Sequence, residues 1–301
     1  MQFRLKFYIN VDTQGILKYF NQSFYKNSYK TNRNPRILIN LFSKCVDFFY
    51  YRINVCSIFL IKLYSKPTVE RLKSICKKIK DEQKLKNPPI ALQINNGKYL
   101  ILDGAHRTSS LQALNCKRMV VQVVESELIS IDSWAHYIPN DRNFIADLKE
   151  NPNLYWSDVP IQKQDFLAII TIDGNNYYIY SKFMNQLDLT LMVDLWKQIV
   201  NVYRDKYHFQ RISNNELKED GIVIRYPSLS LKQIAQVVEE GILLPAGVTK
   251  FTINCGRFLN LNVPLSFIIR EDYVEEDWKE MLSLWKESIR LYTDPIYLCE
   301  I

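Results

Sequence analysis

The sequence predicts an α/β (α+β) fold, and three observations carry that expectation. Residues 99–115 pass from an apolar run, Tyr99-Leu100-Ile101-Leu102, through the turn pair Asp103-Gly104 into a helical stretch over 106–114. Two hairpin signatures, Asn95-Asn96-Gly97 and Asp173-Gly174-Asn175-Asn176, sit between β-rich runs and supply the left-handed residues that tight turns need. Apolar residues at three- and four-residue spacing mark helices before and after each hairpin.

Taken in order, residues 3–11 read as a strand and 21–34 as a polar, Tyr/Asn/Lys-rich loop or extension particular to this chain. Ile37, Leu41, Phe42, Cys45, Phe48 and Phe49 form the apolar face of an amphipathic helix over 36–51, suited to core packing or to a partner or dimer surface. Residues 55–63 are a β-rich run. Pro67 is placed to start a helix in which Val69, Leu72, Ile75, Cys76 and Ile79 share one side, and Pro88-Pro89 ends that region. After the first hairpin and its helix, Asn115 is a C-terminal cap and 119–124 the next buried strand. Residues 140–160, rich in Asn, Asp and Pro, read as a linker carrying short turns. Beyond the second hairpin, Met192, Leu195, Trp196, Ile199 and Tyr203 line a helix over 189–203. Ser230 with Gln233 forms a capping box for a helix whose stripe is Leu231, Ile234, Val237 and Val238, and Gly241 closes it. The last helix, over 273–292, carries Val274, Trp278, Leu282, Trp285 and Ile289, which core packing or a homodimer seam explains. This order divides the chain into an N-terminal extension with an amphipathic helix (1–54), an α/β unit of nucleotide-binding type (55–140) and a C-terminal α+β domain (155–301).

Composition narrows the function classes. An apolar content of 47% with 13% aromatic residues is enough for a real core and argues against disorder as a whole. The six cysteines are widely spaced with no C-x-x-C pair, so a reduced, cytoplasmic setting with buried thiols is expected. The three histidines, His106, His136 and His208, are not at metal-ligand spacing, which argues against a structural zinc. A net charge of +7 permits polyanion binding, but the lysines at 73–86 fall mostly on the polar side of one helix and no helix-turn-helix pattern stands out, so DNA is not the expected partner. No apolar run reaches the roughly 18 residues of a spanning helix.

The chemistry concentrates where the strand at 99–102 meets its helix. Gly104 lets the backbone bend and approach a ligand, and the new helix offers free N–H groups and a positive dipole end, which suits a phosphate. His106, Arg107, Thr108 and Ser109 add donors there, and Asp103 can hold a divalent metal such as Mg2+ or orient a donor. Asp103-Gly104-Ala105-His106-Arg107 resembles the Asp-Gly-His-His-Arg signature of the ParB/sulfiredoxin superfamily, most closely its free-serine kinase branch. The resemblance implies a ParB/sulfiredoxin-like N-terminal domain in which this turn and helix start bind the phosphates of ATP or ADP, with Gly104, Ala105, His106, Arg107, Thr108 and Ser109 as the phosphate-binding positions.

Two departures from the family pattern matter. The general-base glutamate of the serine kinases follows the first strand, and its place falls at Ser65 or Lys66, with Glu70 several residues later at a helix start. Glu70 is then a candidate base only if the backbone takes another path; otherwise it is an acidic residue favoured by the helix dipole. Ala105 stands where sulfiredoxin has its reactive cysteine and the kinases a histidine, which excludes thiol chemistry there and removes one phosphate donor.

Two more groups of residues bear on a substrate site. Trp134 and His136 either wall the pocket or pack at a domain edge with a satisfied histidine. The run 245–264 is similar to a Pro-x-Gly-x-Thr segment of related kinases in biosynthetic clusters. Its Thr249, Lys250 and Arg257 are placed to close over an anionic group or to form a charged structural loop; arginine is well shaped for a carboxylate.

Three readings follow. One is a kinase passing a phosphoryl group from ATP or ADP to the hydroxyl of a small molecule such as free serine, with Asp103, His106 and Glu70 as catalytic candidates and Trp134, His136, Thr249 and Arg257 as substrate-binding ones. The others are a nucleotide-binding regulator that has lost the base and a ParB-like DNA-binding protein.

Overall fold

The computed structural model describes residues 53–58, 61–63, 68–94, 97–139, 142–183, 186–218 and 220–292. The strand expected at 3–11, the helix expected at 36–51, and Ser65, Lys66, Pro67, Asn95 and Asn96 lie outside the described residues.

The first sheet has five strands, ordered β1 (Ile53–Ser57), β6 (Arg118–Val123), β4 (Ile90–Gln93), β5 (Tyr99–Asp103) and β2 (Ile61–Leu63). Its neighbours alternate antiparallel and parallel: β1 with β6 and β4 with β5 are antiparallel, β4 with β6 and β2 with β5 parallel. The β-rich run at 55–63 is thus two strands on opposite edges. A flat sheet would hold those edges about 19 Å apart, yet the residues between Ser57 and Ile61 span at most about 15 Å. The sheet therefore curls so that its edges approach.

Helix α1 (Val69–Glu82) leaves the β2 side and helix α2 (Ala105–Ala113) follows β5. On α1, Leu72, Ile75 and Cys76 are half-buried and Ile79 is buried, while Lys73, Lys77, Lys78 and Lys80 are solvated. Val69, expected on the inner side, is exposed because it lies in the first turn, ahead of the contact with α2. The helix stops at Gln83, whose φ of 54° is left-handed. The short pair β3 (Lys84–Leu85) follows before Pro88-Pro89.

Period-two alternation makes the motif strand serve two cores. Tyr99 and Ile101 join a core with Leu111, Met119 and Val121, whereas Leu100 and Leu102 join a second core with Ile170, Ile179 and Trp196. That is why 99–102 reads as an uninterrupted apolar run.

The second sheet has seven strands: β7 (Ile129–Ile138), β8 (Leu154–Ser157), β9 (Ala168–Ile172), β10 (Asn175–Ser181), β11 (Gln210–Ser213), β12 (Ile222–Arg225) and β13 (Thr249–Ile253). The Asp173-Gly174 turn joins β9 to β10 with both residues at positive φ, 47° and 80°, as a two-residue hairpin requires. Where a linker was expected, the chain forms helix α3 (Arg142–Lys149) and β8, because Phe144, Leu148 and Leu154 are all buried. Helix α4 (Leu189–Arg204) is capped by Asp188, and helix α5 (Leu231–Glu239) has the complete Ser230/Gln233 capping box.

The end of the described chain returns to the first sheet. β14 (Val263–Pro264) pairs with β3, and helices α6 (Leu265–Ile269) and α7 (Glu275–Ser288) bring Phe267, Ile268, Trp278 and Leu282 into the core under β1 and β6. The last helix among the described residues is shorter than the 273–292 expected. Burial raises the Cys56 thiol to about 12 and Cys116 to about 11, so both stay protonated in that core. Among the described residues no helix is long and apolar enough to cross a membrane.

Candidate functional site

The junction of β5 and α2 demands glycine twice over. Gly104 has φ +91°, and a Cβ there would stand 3.0 Å from Pro89 Cα and Cβ and 3.1 Å from Arg107 Nη2. The first intrahelical bond of α2 runs from Thr108 N–H to Gly104 O at 2.9 Å. The N–H groups of Ala105 and His106 therefore precede the helical ladder, at the positive end of the dipole.

Asp103, the last residue of β5, is surrounded by donors. Oδ1 accepts the Gly104 N–H at 2.8 Å, Oδ2 lies 3.5 Å from Arg107 Nη2, and Arg257 Nη1 forms an ion pair with the same Oδ2. Desolvation pushes this carboxyl up, but the charges of Arg107 and Arg257, the Arg257 hydrogen bond and the Gly104 N–H hold it below its usual range. Asp103 is accordingly an anion at neutral pH.

Arg107 has a second engagement. Its Nη1 donates to Asn87 O at 2.9 Å and Pro88 O at 3.1 Å, so the guanidinium ties the helix start to the segment before β4. In this arrangement it frames the turn and holds Asp103 at the same time.

His106 joins the starts of α1 and α2. Its Nε2 accepts the Thr68 N–H at 3.1 Å and lies 3.2 Å from Thr68 Oγ1. Desolvation, with Arg71 adding like charge, lowers its pKa, so the ring is neutral at pH 7 with the proton on Nδ1. Two helix N-termini thus converge at one histidine, and Glu70 stands exposed in the first turn of α1. Ser110 reinforces the junction: its Oγ lies 2.8 Å from His106 O and 3.3 Å from Leu72 O.

The other expected residues divide. Thr108 is fully buried and its Oγ1 has no partner among the described residues, so this hydroxyl does not face the helix start's open side; Ser109 is half-buried. Trp134 sits half-buried on β7 with Lys250 Nζ 4.5 Å from its ring centre. Thr249 is buried on β13, paired with Ser133. His136 takes the satisfied form: its ring is enclosed by Tyr203, Phe209 and Tyr226, Nε2 donates to Gly247 O at 2.8 Å, and Nδ1 is bonded by the Tyr203 hydroxyl. Arg257 alone of the distant candidates meets the motif directly.

Gln122 escaped the sequence reading. It is 1% exposed, near the C-terminal end of β6, and its carboxamide grips the loop that carries Arg257 from both sides. Nε2 donates to Gly256 O at 3.0 Å and Oε1 accepts the Phe258 N–H at 3.0 Å. The one available signal was a carboxamide inside an otherwise apolar strand, Met119-Val120-Val121-Gln122-Val123.

The donor set fits a nucleotide phosphate: two converging helix starts, a neutral imidazole and an arginine within reach of one turn. For Mg2+, three of the roughly four acceptor positions of a carboxylate are used at Asp103, leaving one, which suits an ion that takes most of its ligands from phosphate and water. Among the described residues no cluster of three or more acidic, His or Cys side chains forms a closed metal site.

No family model matches the chain. It is 31% identical over 235 residues to the ATP-dependent L-serine kinase SbnI of Staphylococcus aureus, across 76% of this chain and 90% of that protein. The solved structure of SbnI with a C-terminal truncation, also from Staphylococcus aureus, superposes with a TM-score of 0.71 at 28% identity, covering 79% of this chain and 98% of that one. A free serine kinase in complex with AMP shares the fold at a TM-score of 0.56 and 15% identity, covering 72% and 93%. With an Asp-Gly-x-His-Arg turn at the centre of its site and this extent of likeness, the chain belongs to the free-serine kinase branch of the ParB/sulfiredoxin superfamily, the family of SbnI.

Proposed function

We propose that this chain is an ATP-dependent kinase that transfers a phosphoryl group to the hydroxyl of free L-serine. The observation that carries the reading is the convergence of the α1 and α2 starts on His106, with Arg257 brought to Asp103 beside them; the likeness to an ATP-dependent L-serine kinase over 90% of its length supports it.

In this reading the N–H groups opening α2 and the His106 ring bind nucleotide phosphates. Mg2+, when bound, would be held by phosphate oxygens and Asp103 and would offset the charge of the transferring group. Asp103 keeps Arg107 and Arg257 aimed at the turn, so that positive charge is in place before the reaction and needs no reorganisation during it. Arg257 reaches the anionic end of the acceptor or the phosphoryl group in flight. Glu70 lies exposed in the first turn of α1, the place of an acidic residue favoured by the helix dipole, so it is not assigned the serine hydroxyl proton.

The test is a mass-spectrometric turnover assay with magnesium, ATP or ADP supplied separately, and a pool of free amino acids that includes L-serine. Phosphoserine formed with ATP, and lost by at least tenfold in His106→Ala, is the expected result. Nucleotide binding without any phosphorylated amino acid would sink the kinase reading and leave a binding protein.

A further inference from the structure

We propose that Gln122 is a positioning residue, whose buried carboxamide sets Arg257 over Asp103 by clamping the loop on either side of that arginine. A fully buried glutamine in an apolar strand is costly unless its carboxamide is satisfied. Here it is, and both partners flank residue 257: Gly256 O takes the Nε2–H and Phe258 N–H gives to Oε1, each at 3.0 Å. Gly256 turns at φ +77°, so the loop reverses at the point the carboxamide holds.

The same residue braces the opposite wall. The Gln122 N–H donates to Pro89 O at 2.9 Å, and Pro89 is the residue that packs against Gly104. Beside it, Asn87 accepts the Asn260 N–H at its Oδ1 (2.8 Å) and an Arg107 N–H at its carbonyl (2.9 Å). The segment before β4 and the loop after β13 therefore frame Asp103 as one unit, and Gln122 touches both. Since Ala105 offers no side-chain donor to the site, Arg257 is the cation that the loop adds, and its placement depends on a residue outside the motif.

The clamp itself stands on geometry alone; its effect on turnover rests on the kinase reading above, and the two are tested separately. Gln122→Met keeps the volume and removes both hydrogen bonds. A crystal structure of Gln122→Met should show Arg257 displaced from Asp103; Arg257 still paired with Asp103 overturns the proposal whatever the protein's activity. In steady-state kinetics, Gln122→Met and Arg257→Gln should each lower kcat/KM by about tenfold, with the double variant no worse than Arg257→Gln alone, since Gln122 acts through Arg257. Losses that multiply in the double variant, or full activity in Gln122→Met, overturn it as well. Should the wild-type protein form no phosphoserine, the kinase reading falls and the crystallographic arm still decides the clamp. If Gln122→Met does not yield folded protein, Gln122→Asn, too short to reach Gly256 and Phe258 together, takes its place in both arms.

Discussion

Gly104 shows how much a single residue is asked to do at this site. Its positive φ and the approach of Pro89 to 3.0 Å leave no room for a Cβ, so Gly104→Ala should cost about 2–3 kcal/mol and sharply reduce nucleotide binding. Urea denaturation with an unchanged midpoint would refute this. The turn was legible in the sequence because its pattern is local: an apolar run, Asp-Gly, then a stretch with Leu111 and Leu114 at helical spacing. Gln122 and the burial of Thr108 were not. One carboxamide or hydroxyl has no periodicity, and its meaning lies in a partner such as Phe258, far away along the chain. His136 was legible only as a choice between two roles, because a histidine on a strand looks the same in sequence whether its ring meets a ligand or Tyr203.

At the level of elements, the hairpins and the Ser230/Gln233 capping box could be read because turn and cap chemistry depend on neighbours two or three residues apart. The region at 140–160 could not, since its Asn, Asp and Pro residues conceal the spacing of Phe144, Leu148 and Leu154 that forms α3 and β8. The join between β6 and the terminal segment was also invisible. There Arg118, 6% exposed, donates to Phe267 O at 2.7 Å and Glu271 O at 2.9 Å, with its guanidinium beside the Phe267 and Tyr273 rings. Arg118→Met should lower stability by about 2–3 kcal/mol by leaving two carbonyls unpaired. Thermal unfolding that is unshifted would show that solvent replaces those bonds at no cost.

For the molecule as a whole, the second core carries a pH dependence. Desolvation is the main reason the His136 pKa falls to about 4; the Gly247 hydrogen bond opposes it, and Arg211 and Arg204 add to the fall. Above pH 6.5 both folded and unfolded states hold this ring neutral, and stability is full. Between pH 6.5 and 4 only the unfolded state takes the proton, so stability drops, by up to about 3 kcal/mol, and levels off below. Denaturation curves from pH 7 to 4 should show that loss in the wild type and a much smaller one in His136→Gln; equal slopes would assign it to other groups.

The Arg257–Asp103 pair joins residues 154 positions apart. A nascent chain that has just made the whole Asp-Gly-x-His-Arg turn therefore still lacks one of the two cations around its aspartate, and can gain it only once the loop beyond β13 has been synthesised. Such high sequence separation gives the contact a large loop-closure entropy to overcome. Competence of the site is in that sense a receipt for completed folding: the motif is an early product of translation, and the charge balance that makes it useful is a late one.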